Sequence, residues 1–137
     1  KKGCVLKIDF VQDFQKNIKG VKNGIHSVED IYYRKMSIGT RTAGKLDIIG
    51  KEIPAGRQSV KDLFDIYYLS KHHKPLSEFF FEYFSYDKAE GLIAWYQGFN
   101  RMDLKVGLLD LVSKVNTGEV IRYLDSEILK KLPEKLI

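Results

Sequence analysis

A chain of 137 residues is long enough for one domain with a buried core, or for a piece of a larger one. Its 44% hydrophobic and 30% charged residues exclude a disordered chain, and no apolar run approaches the roughly 18 residues of a membrane span. The net charge of +5 favours anionic partners such as nucleotides or RNA. The lone cysteine, Cys4, excludes an internal disulfide, leaves no Cys/His spacing for zinc, and points to a reducing cytoplasm.

The chain opens Lys1-Lys2-Gly3 without an initiator Met and runs at once into an apolar stretch, so a missing upstream segment is expected. Residues 4–11, CVLKIDFV, read as a strand with Leu6, Ile8 and Phe10 on one face and Lys7 and Asp9 on the other. Residues 12–24 are polar and contain glycine, and read as a loop. Ser27 followed by Asp30 forms a capping box with Asp in place of Glu, predicting a helix over 28–40. The stretch KLDIIGKEIPAG predicts a short hairpin or an extended excursion around Gly50. A second Ser-x-x-Asp start, Ser59 and Asp62, opens a helix to about Lys71. Pro75 and Ser77 restart the chain as the aromatic helix SEFFFEYF. Further helices are expected near 87–97, 101–114 and 117–132. The fold class is therefore α+β, mainly α. A strand-containing front (1–56) precedes an all-helical back (57–137).

Several polar residues break the local pattern. At 100° per residue, Val28, Ile31, Tyr32 and Ile38 share a stripe with Lys35 at its centre. Such a lysine either snorkels to water or a carboxylate, or meets an anion such as phosphate. Asp62 and Asp65 project from one edge of a helix that is apolar nearly all round, and two acids so placed repel unless a cation lies between them. Asp62 also lies in the first turn, where capping and the helix dipole suit it. Asp9 is either paired with Lys7 on a solvated sheet face or mounted as a metal ligand or general base. His72-His73 reads as a helix end with favourable dipole placement, and Trp95 with Phe79–Phe84 as core.

Taken in order, LKIDFV, HSVEDIYYRKMSI and GRQSVKDLFDIYYLS resemble three successive motifs of the AbiEii-type nucleotidyltransferases, the toxin family of type IV toxin–antitoxin and abortive-infection systems. The likeness spans roughly residues 5–84. It implies the remnant of a minimal nucleotidyltransferase sheet followed by a helical C-terminal region, and an Mg²⁺-dependent transfer of a nucleotide from an NTP. The acceptor would be RNA, such as tRNA, or a protein, and a separate antitoxin would be the partner. The family's opening Gly-Ser/acid-x-acid motif has no counterpart here, so this chain alone is expected to be inactive.

The likeness assigns roles by position. Asp9 is the strand acid implied to bind Mg²⁺ or activate the acceptor, with Lys7 beside it at the family's basic position. Lys35 is the helix lysine implied to contact the nucleotide phosphates. Asp62 is a functional acid with Asp65 as companion, and Arg57 is a phosphate clamp. The rival expectation is a non-catalytic helical module that docks protein or RNA. A metal-dependent nuclease using Asp9, Asp62 and Asp65 suits Lys35 and Arg57 less well.

Overall fold

The computed structural model describes residues 3, 16–46, 48–50, 52–112 and 114–137. The predicted strand at 4–11, with Lys7 and Asp9, lies outside the described residues. Within them the protein is mainly helical, with two small antiparallel hairpins, as the composition and periodicity anticipate.

The first hairpin pairs β1 (Val21–Lys22) with β2 (Ile25–His26) where a loop was expected. Its turn is Asn23-Gly24, with φ of 52° and 75°. Two consecutive positive φ values are the requirement of a type I′ turn, which Asn-Gly meets with little strain.

Helix α1 (Val28–Gly39) begins at Ser27, whose Oγ accepts the Asp30 N–H. Its buried line is Tyr32, Met36 and Gly39, whereas Val28 and Ile31 are exposed, so the inward stripe is rotated from the predicted one. The reason is close packing against α4 (Asp87–Gln97). A Cβ on Gly39 would stand 2.6 Å from Leu92 Cδ1 and 2.9 Å from Trp95 Cε3, so only glycine lets the two helices approach along this line. Lys35 then falls at the edge of the interface rather than at its centre.

The second hairpin joins β3 (Thr42–Leu46) to β4 (Glu52–Pro54), with Thr42 opposite Pro54 and Leu46 opposite Glu52. Gly50 turns with φ of 82°, as the predicted hairpin requires. Strand β4 lies against α4.

Helix α2 (Val60–His72) turns Leu63, Ile66 and Ser70 into the core. It packs on α1, on α5 (Arg101–Leu111) and on α6 (Thr117–Leu124). Helix α3 (Leu76–Tyr83) supplies Phe79 and Phe80, and Phe79 stacks on Tyr32 with centroids 4.0 Å apart. Trp95 and these aromatics are core, as expected. Asn100 and Asn116 cap α5 and α6 through their side-chain oxygens.

The predicted helix at 117–132 is not uniform. After α6 the chain continues as a π-helical segment (Asp125–Lys131) and then α7 (Leu132–Leu136), with Pro133 in the first turn of the latter. The wider turn carries Glu127, 1% exposed, to the start of α3, where it accepts the Ser77 N–H at 2.9 Å. Asp125 accepts bonds from the Tyr96 hydroxyl and Arg101, both at 2.7 Å, tying α4 and α5 to the same segment.

Candidate phosphate-binding site

Four of the residues singled out in the sequence meet where α1, α2 and the segment before α2 converge. Lys35 Nζ donates to Asp62 Oδ1 at 2.7 Å and lies 2.8 Å from Asp65 Oδ2. Arg57 approaches from the other side, donating from Nε to Asp62 Oδ2 at 2.8 Å and from Nη2 to Oδ1 at 3.3 Å. Asp62 is thus a shared acceptor between two cations, with its side chain only 2% exposed.

Exposure rises outward from it, through Lys35 (24%) and Asp65 (34%) to Arg57 (71%). Ser59 occupies the N-cap position of α2 but forms no side-chain cap, and the Asp62 carboxylate is spent on the two cations. The predicted second capping box is therefore a helix start whose acid has been diverted.

Burial alone would raise the Asp62 carboxyl, but bonds and charge from Arg57 and Lys35 outweigh it and hold it below the ordinary carboxylate range. Burial would likewise lower the Lys35 ammonium, and the Asp62 and Asp65 carboxylates reverse this and raise it. Both groups are charged at neutral pH, and the four side chains balance to zero.

Each cation keeps donors in reserve. Lys35 has three N–H groups and two acceptors. Arg57 has five N–H groups, and its Nη1 edge is directed away from Asp62. The arrangement can therefore take an anion at its outer edge without first breaking the buried Asp62 contacts.

It does not fit a divalent cation. Both Asp62 oxygens already receive N–H donors, and among the described residues no group of three His, Cys, Asp or Glu side chains is placed to hold a metal. No reaction step is therefore derived through Mg²⁺ at this cluster. Asp9, the metal ligand implied by the resemblance, lies outside the described residues, as does Lys7.

The backbone under Arg57 is held from α4. Trp95, fully buried, donates its indole N–H to the Arg57 carbonyl at 2.9 Å, and Gln58 Nε2 returns a bond to the Trp95 carbonyl at 3.0 Å. Gly56 lies so close to α1 that a Cβ there would stand 1.9 Å from the Ile38 carbonyl oxygen. An exposed guanidinium thus rises from a fixed backbone. Trp95 and Gly56 escaped notice as site residues because a buried tryptophan and a glycine before a helix have ordinary structural uses. The one cue was their proximity in sequence to Arg57 and to the glycine-rich end of the hairpin.

A second carboxylate has a different task. Asp30, fully buried at the start of α1, accepts the N–H groups of Ile18, Lys19 (3.0 Å) and Gly20 (3.1 Å) and the Ser27 hydroxyl (2.7 Å). Burial pushes its carboxyl up, but these donors outweigh it and bring it to about 2. Asp30 is an internal anchor for residues 18–20. His73, at the end of α2 as expected, has its Nε2 3.7 Å from Glu29 Oε1.

No protein-family model, curated protein or solved structure matches the chain.

Proposed function

We propose that the Lys35–Arg57–Asp62–Asp65 cluster is the phosphate-holding part of a nucleotidyltransferase-type site. Lys35 and Arg57 are the cationic arms for the triphosphate of an NTP, and Asp62 is the buried carboxylate that keeps both arms in place. The observation that carries this reading is that three segments singled out by the AbiEii resemblance bring their charged residues within hydrogen-bonding distance of one another.

The exchange of partners is physically simple. Asp65, the more exposed of the two acids, is the displaceable counterion, and a phosphate oxygen takes its place on Lys35 while Arg57 contributes its free Nη1 edge. Asp62, almost wholly buried, stays bound throughout. In nucleotidyl transfer an acceptor hydroxyl loses its proton and forms an oxygen–phosphorus bond at the α-phosphorus as pyrophosphate leaves. Holding the triphosphate rigidly is the protein's largest contribution to that step. The demand for Mg²⁺ falls, in this reading, on Asp9 and on the family's upstream acids. The acceptor, RNA such as tRNA or a protein, and an antitoxin partner rest on the resemblance alone.

Titration of the chain with ATP, GTP, CTP and UTP tests the reading. Lys35→Ala and Arg57→Ala should each weaken affinity about tenfold, the worth of one charge-assisted bond. Asp65→Asn should strengthen it by removing the competitor. Affinity that is unchanged in all three variants would sink the assignment.

The charge balance of the cluster supports a second reading, a non-catalytic helical module in which the same four residues only join α1 to α2. That module binds no nucleotide, and Lys35→Ala costs it stability alone.

A further inference from the structure

Helix α5 is apolar on two opposite sides, and one of them faces solvent. Leu104 and Leu108 are fully buried, whereas Met102, Val106 and Leu109 are 67%, 53% and 53% exposed. At 100° per residue these three fall within about 60° of one another, turned away from Leu104 and Leu108. A globular domain normally gives water the polar side of such a helix. The spacing of four and then three residues is that of the d, a and d positions of a coiled-coil seam.

The charges beside the seam carry the argument further. Lys105 occupies the g position before Val106, and Asp110 the e position after Leu109. Neither is engaged by another described residue, whereas Arg101 on the same helix is held by Asp125 and Tyr96. In a parallel helix pair, a g residue lies beside the e residue five positions further along the partner. Lys105 and Asp110 are five apart. An antiparallel pair would set g against g and e against e, bringing lysine to lysine and aspartate to aspartate.

We propose that this face of α5 is a homodimer surface on which a second copy lays its own α5 in parallel. Met102, Val106 and Leu109 interdigitate along the seam, and two symmetry-related Lys105–Asp110 bridges set the direction. Met102 and Leu109 are about 10 Å apart along the axis, so the contact is small and the dimer weak and concentration-dependent. The surface is separate from the phosphate cluster, and its existence does not depend on the nucleotide reading.

Sedimentation velocity over concentrations up to about 500 μM, where a small interface is still populated, tests the proposal. The chain should move from 15.9 kDa towards twice that mass as concentration rises. Leu109→Arg and Met102→Lys, both at exposed positions, should hold it at the lower mass with an unchanged circular-dichroism melting curve. Lys105→Glu and Asp110→Lys should each weaken association about tenfold, and the two together should restore it. A wild-type chain that stays at 15.9 kDa throughout overturns the proposal. So does a dimer that survives Leu109→Arg, or a charge reversal that fails to restore association.

Discussion

Replacing Lys35 by Met tests the central geometry, because methionine keeps most of the apolar stem and removes only the ammonium. Two contacts are lost. The one to Asp62 is a charge-assisted bond at 2.7 Å to a carboxylate 2% exposed, for which about 1.5–3 kcal/mol is expected. The one to Asp65 reaches a carboxylate 34% exposed and contributes about 0.5 kcal/mol, as screened pairs do. Arg57 still holds Asp62, which keeps the loss below the roughly 3–5 kcal/mol of a buried charge left wholly unpaired. The expected destabilisation is about 2–3 kcal/mol, read from urea unfolding curves at constant slope. Asp62→Asn on the same background should be far from additive, with a coupling of about 1.5 kcal/mol or more. A loss under about 0.5 kcal/mol, or two effects that simply add, would show that these side chains do not meet as described.

Two further outcomes follow from neighbouring residues. The Asp30 carboxyl is depressed from 3.8 to about 2, so its contribution to stability is complete above pH about 4 and is lost as pH falls through that interval. Asp30→Asn should flatten the acid limb of a stability-against-pH curve between those values and speed amide exchange at Ile18, Lys19 and Gly20; an unaltered limb would remove Asp30 as the anchor. Trp95→Phe removes the donor to the Arg57 carbonyl, and leaving that carbonyl unpartnered should cost about 1–3 kcal/mol in the same unfolding assay. It should also weaken NTP affinity in step with Arg57→Ala, and an unchanged affinity would detach Trp95 from the site.

The helices were largely legible because their ends carry chemistry and their bodies carry periodicity. Ser27 and Asp30 mark the start of α1, Pro75 sits just before α3, and the spacing of Val120, Ile121, Leu124 and Ile128 marks the last helical stretch. The hairpin at Val21–His26 was passed over although Asn23-Gly24 is a strong turn signal, because strands of two residues leave no alternation to detect. The inward face of α1 was misplaced because the periodicity weighs Val28 and Ile31 by their hydrophobicity. Their burial depends instead on what packs against them, and Gly39 draws α4 to the other line. Lys35, Asp62 and Asp65 were found because each is polar where its helix is otherwise apolar. The dependence of Arg57 on Trp95 spans 38 positions, a contact that only tertiary structure creates.

The π-helical stretch has a bearing on how this sequence can change over time. A π turn holds more residues than an α turn. Loss of one residue between Asp125 and Lys131 would therefore let the ladder relax to the commoner geometry without loosening α6. The relaxation would swing everything downstream by about 100°. Leu132 would leave the interior, and the Glu127 oxygen would lose its register with the first amides of α3. Length variation tolerated in a surface loop would be rejected here, so this stretch, though free of any catalytic candidate, should be among the most constant in length along the chain.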